Sequence, residues 1–149
     1  HAEPLSADEA RKEAQGYFDE WFPSATNFKA LASAAVEKGM SKEAAFLLHQ
    51  ATERLYHCVL LVLTLYSPKS HKLNFLRSQA ERLAPSLIAA WPRETRSEQR
   101  SWELLRRAYV DARYSPHYKI TAEELGWLGE RVAVLGELVR SACQAHLSA

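Results

Sequence analysis

SKEAAFLLHQATERLYHCVLLVLTLY, residues 41–66, decides the fold. Within it Ala45, Leu48, Thr52, Leu55, Val59, Val62 and Tyr66 recur at steps of three and four, which draws one continuous stripe down a long helix. Strand pairing would need alternation at every second position, and no segment of the chain sustains it. The longest apolar run, Cys58 to Tyr66, falls far short of the ~20 residues that cross a bilayer, so it belongs to a protein core. A helix this apolar has to be surrounded by other helices.

Working outward, those helices can be placed by their start and stop signals. Ser6-Ala-Asp-Glu9 has the spacing of a capping box, where a side-chain oxygen and a glutamate carboxylate satisfy each other's backbone donors. Ala10, Ala14, Tyr17 and Trp21 continue from it. Pro23 is expected to break or kink the run before Phe28, Leu31, Ala35 and Val36 resume it, and Gly39 to end it. Ser41 is the expected cap of the central helix. After a turn at Ser67-Pro-Lys69, Ser70 is expected to cap a shorter helix carrying Leu73, Leu76, Ala80 and Leu83, stopped at Ala84-Pro85. Thr95-Arg-Ser-Glu98 and Thr121-Ala-Glu-Glu124 repeat the capping box. The first precedes Trp102, Leu105, Tyr109 and Ala112; the second precedes Leu125, Leu128, Val132, Leu135 and Val139. The fold class is therefore all-α, an up-and-down bundle of five to six helices in a single domain over residues 1–149.

Bulk properties narrow the function. At 149 residues the chain suits one domain, and 47% hydrophobic with 25% charged residues is ordinary for a globular protein. The net charge of +1 and pI of about 8.0 give no global attraction to nucleic acid or an anionic surface, so any such binding must come from a local patch. Cys58 and Cys143 fall inside helical patterns and read as free core thiols. No metal ligand set, cofactor motif or secretion signal is apparent, which points to a cytoplasmic protein that does not meet a membrane. The chain begins at His1 without a methionine, and the expectation is a domain cut from a longer protein whose N-terminal domain is missing.

Two polar features stand out. On the central helix His49, Gln50, Glu53, Arg54 and His57 share an arc of about 140° opposite Leu48 and Val59. That arc is either a solvated face with some internal pairing or a wall of donors along a groove. At the end of the next-to-last helix, DARYSPHY at residues 111–118 gathers an arginine, a histidine and two tyrosines around Pro116. Arg106 and Arg113 share a helix face with Trp102 and Tyr109, and a guanidinium leaning inward requires a partner. Asp111 or Glu53 could serve internally; an anionic ligand is the alternative. Pro116 turns the chain and holds His117, Tyr118 and Lys119 near the start of the last helix, whose free N–H groups and dipole favour phosphate.

With these residues in view a family can be named. Ala44-Ala-Phe-Leu-Leu-His-Gln-Ala-Thr-Glu53, then Ser70-His-Lys-Leu73, then Asp111-Ala-Arg-Tyr114 with Tyr118 resemble the HEPN (higher eukaryotes and prokaryotes nucleotide-binding) domain over roughly residues 6 to 147. The chain is most similar to the bacterial type that follows a nucleotidyltransferase domain in one polypeptide, and the C-terminal domain of sacsin is similar. The resemblance implies a helical bundle that dimerises and binds nucleotides or other polyanions. It carries nucleotide contacts onto Arg113, Tyr114 and Tyr118, to which helix geometry adds His49, Gln50, Arg54, His71, His117 and Lys119. Many relatives are metal-independent ribonucleases of the toxin type, with four to six residues between an arginine and a histidine. Here Arg113 and His117 have three between them, one of which is Pro116, so the chain departs from that pattern.

Three functions follow as expectations. The first is a non-catalytic module binding an ATP- or GTP-like nucleotide, or RNA phosphate, in association with a nucleotidyltransferase domain in cis. The second is a ribonuclease using Arg113 and His117. The third is a docking or homodimerisation domain with Trp21, Phe22, Trp91 and Trp127 as anchors.

Overall fold

The computed structural model describes residues 4–149, and among them no strand is present. Five α-helices and one 3₁₀ segment follow in order: α1 (Ala7–Glu37), α2 (Ser41–Thr64), α3 (Leu73–Leu83), the 3₁₀ segment Pro85–Ala90, α4 (Arg96–Tyr114) and α5 (Ala122–Ser148). The all-α bundle expected from periodicity is the fold. Helix α2 is its axis, packed against α1, α3, α4 and α5. The buried residues of α1 are all alanines, Ala14, Ala25, Ala32 and Ala35, and α2 buries Ala44, Ala45 and Ala51 beside its larger side chains. Leu125, Leu128, Val132, Leu135, Val139 and Cys143 form the buried stripe of α5. None of the described helices is long and apolar enough to cross a membrane.

Local chemistry accounts for the ends. All three capping boxes form, with Ser6, Thr95 and Thr121 each accepting from the backbone of Glu9, Glu98 and Glu124 and each glutamate reaching back. Gly39 takes φ of 72°, the left-handed conformation that closes α1 and opens the hairpin to α2.

Several expectations need correction. Pro23 does not interrupt α1, which runs through it unbroken for 31 residues. The proline sits on the exposed side, so its ring meets solvent and only one intrahelical bond is lost. Ser41 does not cap α2; it is the first helical residue after Met40, and no side chain caps that end. Ser70 likewise precedes the Lys72 cap, although its hydroxyl accepts from the Lys72 N–H at 3.1 Å. Leu31, Tyr66 and Leu83 are exposed rather than core residues. The two cysteines are free and buried, as their helical placement implied.

Candidate functional site

The polar arc of α2 is buried. His49, Gln50, Glu53 and His57 are at most 7% exposed, so the solvated-face reading of that arc fails. Burial of so many polar groups requires partners, and the segment between α2 and α3 supplies them. Leu65 adopts φ of 62°, a left-handed residue that ends α2 and folds residues 66–72 back along it. His57 then pins this segment. Its Nε2–H donates to the Ser70 carbonyl at 3.1 Å, and its Nδ1 accepts from the Ser67 hydroxyl. Both bonds suit a neutral ring, and burial lowers the His57 pKa in the same sense.

The consequence is the placement of His71. Its Nδ1–H donates to Glu53 Oε1 at 2.8 Å, and its ring stacks on Tyr109 of α4 at 4.2 Å with 11° between planes. Tyr109 in turn lies 5.4 Å from the His49 ring and 6.1 Å from Phe46. The Arg113 guanidinium sits 4.5 Å from the Tyr109 ring centre, 5.0 Å from Phe46 and 4.9 Å from Tyr114. Its Nε donates to the Tyr109 carbonyl at 2.6 Å, while its terminal nitrogens have no partner among the described residues. Neither internal carboxylate neutralises it. Asp111 is bonded to Arg107 at 2.8 Å, and Glu53 belongs to His71. Arg106 is satisfied by Glu103 at 2.6 Å.

A second branch leads from His49 to the other side of α2. The Gln50 amide lies 3.4 Å from His49 Nδ1, and its oxygen accepts from Arg54 at 3.1 Å. Arg54 also donates to Ser24 of α1 at 3.0 Å and covers the Phe28 ring at 4.3 Å. His49 Nε2 is a buried nitrogen without a hydrogen-bond partner among the described residues. Burial, with the His71 charge as a lesser cause, drives the His49 pKa down to about 3. Glu53 Oε1 stands 3.8 Å from His49 Nδ1, but that oxygen is bonded to His71 and the nitrogen faces the Gln50 amide. The pair is a contact, not an ion pair.

Beside the His71–Tyr109 stack, a groove of about 790 Å³ runs between residues 69–75 and α4. Lys69, His71, Lys72, Arg106 and Arg107 give it a basic wall; Phe75 and Val110 give it an apolar one. The structure thus brings His49, Gln50, His71 and Arg113 into one contact network with Tyr114 at its rim, while Arg54 anchors the α1 edge of it.

The other predicted residues fall elsewhere. Tyr118 is buried, and its hydroxyl donates to the Leu104 carbonyl at 2.6 Å, so it cannot stack on a base; it is the residue that fastens the α4–α5 turn to α4. His117 and Lys119 are exposed, and neither side chain reaches the network; the contact made by His117 is its backbone N–H on Ser115 Oγ at 3.3 Å. At the α5 start the capping box takes the Thr121 and Glu124 N–H groups, and Glu124 also holds Arg100 at 3.1 Å. Among the docking anchors, Trp91 is a core residue whose Nε1–H donates to Tyr56 at 2.9 Å, and Trp21, Phe22 and Trp127 pack partly buried against the core. Sequence reasoning missed the pivotal place of Tyr109 and Phe46 beneath Arg113. Their aromatic character at helical spacing was the available signal, and it reads equally well as core.

No curated protein matches the chain. The sequence model of the HEPN domain matches residues 18–140, from the middle of α1 to the last third of α5, and so takes in the α2 arc, the His71 segment and the end of α4. A match over most of the chain, on a helical bundle with its polar groups gathered at these elements, establishes that this protein belongs to the HEPN domain family.

Proposed function

We propose that this HEPN domain is a nucleotide- or polyanion-binding module without chemistry of its own, and that it takes up phosphate at Arg113, which stacks on the groove-lining Tyr109. The observation that carries the reading is the state of Arg113. An arginine held by three aromatic rings and a backbone carbonyl, with no carboxylate or other partner on its terminal nitrogens among the described residues, is a pre-positioned donor for an anion. Lys69 and Lys72 supply further charge along the groove, and the exposed Tyr114 ring offers a face for a base. The same proposal places a nucleotidyltransferase domain in cis as the physiological partner and a second copy of the domain as its dimer mate; the reading frame preceding His1 and light scattering test those two parts.

The ribonuclease alternative has less support. Arg113 and His117 are separated by the Pro116 turn, and the His117 imidazole has no hydrogen-bond partner among the described residues that would orient it as a base.

Arg113→Ala tests the reading. Titration calorimetry with ATP and GTP should show at least about tenfold weaker binding, from the loss of one charge-assisted contact. The thermal transition should move little, since Arg113 is exposed. Binding should also weaken as salt rises. Unchanged affinity in Arg113→Ala would remove the site from consideration.

A further inference from the structure

Two large apolar side chains in the groove beside the His71–Tyr109 stack face solvent. Phe75 of α3 is 44% exposed and Val110 of α4 is 54% exposed, and both line the groove. Apolar surface in a concavity of about 790 Å³ fits a flat, uncharged group rather than a phosphate. Asn74, next to Phe75 on α3, adds a polar group to the same wall. Trp102 settles which way its amide lies. An indole Nε1–H can only donate, and it reaches Asn74 at 2.9 Å, so the amide atom facing it is the oxygen. Trp102 is itself held, under the Arg77 guanidinium at 4.6 Å and against Trp91 at 4.7 Å, and it does not line the groove. The Asn74 oxygen is thus engaged outside the groove. What remains is the amide NH2 group, two donors with no partner among the described residues.

We propose that the groove seats the nucleobase, with Phe75 and Val110 against its faces and the Asn74 NH2 donating to a carbonyl on its edge, so that the domain prefers guanine, a 6-keto purine, to the 6-amino purine adenine. The inference rests on the nucleotide-binding reading above and gives it a base class. Guanine offers O6 as an acceptor where adenine carries an amino group, and an amino group set against Asn74 leaves two donors facing each other. Tyr114 offers a second aromatic face, but it stands outside the groove lining. The base and phosphate ends can be held at once. Trp102, which bonds Asn74, and Tyr109, on which Arg113 stacks, are seven residues apart on α4, roughly 10 Å at about 1.5 Å per residue. A ribose with its phosphate chain spans that distance. Lys69 and Lys72, with no carboxylate partner among the described residues, line the same groove.

The experiment is calorimetric titration of GTP, inosine triphosphate, ATP and tripolyphosphate into the protein and two variants. Asn74 and Phe75 are exposed on the first turn of α3, so changing them tests the groove and not the fold. GTP and inosine triphosphate, which keeps O6 and lacks the 2-amino group, should bind about five- to tenfold more tightly than ATP, the effect of one hydrogen bond. Asn74→Asp keeps an oxygen for Trp102 and turns the groove arm from donor to acceptor. Its charge weakens every nucleotide alike, while the ratio of GTP to ATP affinity should fall below one. Phe75→Ala should weaken GTP and ATP together by at least about fivefold through loss of stacking, and leave tripolyphosphate unchanged. Equal affinity for GTP and ATP, inosine triphosphate binding only as well as ATP, a ratio unmoved by Asn74→Asp, or no loss in Phe75→Ala overturns the base assignment. Tripolyphosphate binding that Arg113→Ala weakens then leaves the phosphate reading standing. No binding of tripolyphosphate or of any nucleotide overturns both.

Discussion

His49 makes a sharp prediction about acid stability. Its ring is fully buried with one nitrogen unpartnered among the described residues, and burial lowers its pKa to about 3 against about 6.5 for an exposed histidine. The sign follows from proton counts. Between these two values the unfolded chain carries a proton at this position and the folded chain does not, so acid favours unfolding. Stability from this group is complete above pH 6.5 and is lost progressively as pH falls toward 3. From pH 7 to pH 5 the excess proton on the unfolded state, integrated over pH, amounts to about 1.4 pH units of full protonation, and at 1.36 kcal/mol per unit this removes about 2 kcal/mol. The perturbation is His49→Leu, which fills a similar volume and cannot titrate. Urea unfolding followed by circular dichroism at half-unit steps of pH gives both stability curves. The difference between them should change by about 2 kcal/mol over that window, with the wild type losing more. Parallel curves would show that His49 accepts a proton inside the fold, through Glu53 or entering water, and the account of the buried network given above would be wrong.

Other expectations can be checked by the same methods. Pro23→Ala should stabilise the protein by about 1–3 kcal/mol, because an exposed interior proline removes a helical bond and has the poorest propensity of any residue; a lower melting temperature would mean that the proline sets the path of α1. Tyr118→Phe should cost about 0.5–1.5 kcal/mol in denaturant unfolding through loss of its bond to Leu104, and should leave ATP affinity unchanged. A large loss of affinity in a folded Tyr118→Phe protein would return that tyrosine to the site.

The sequence by itself determined the helices and most of their ends. Stripes at three- and four-residue steps and capping boxes depend on groups less than one or two turns apart, so their chemistry is settled before any helix meets another. The five core positions named in advance for α5 are all buried, and all three capping boxes close. The same local reading misjudged Pro23, since whether a proline bends a helix depends on what lies against its ring. It also exposed the limits of a helical wheel: the polar arc of α2 was visible, but a wheel cannot say which face meets solvent.

Only the tertiary structure decided the site. His71 and Glu53 are 18 residues apart, and Arg54 and Ser24 are 30 apart; these bonds exist because Leu65 turns the chain back and α1, α3 and α4 close around α2. The same packing separates residues that sequence had grouped. Tyr118 turns into the core while Tyr114, four positions earlier, remains 72% exposed at the rim. Neighbours along a helix are fixed by its pitch, whereas neighbours across the bundle are fixed by loop path and packing, which no short stretch of sequence encodes.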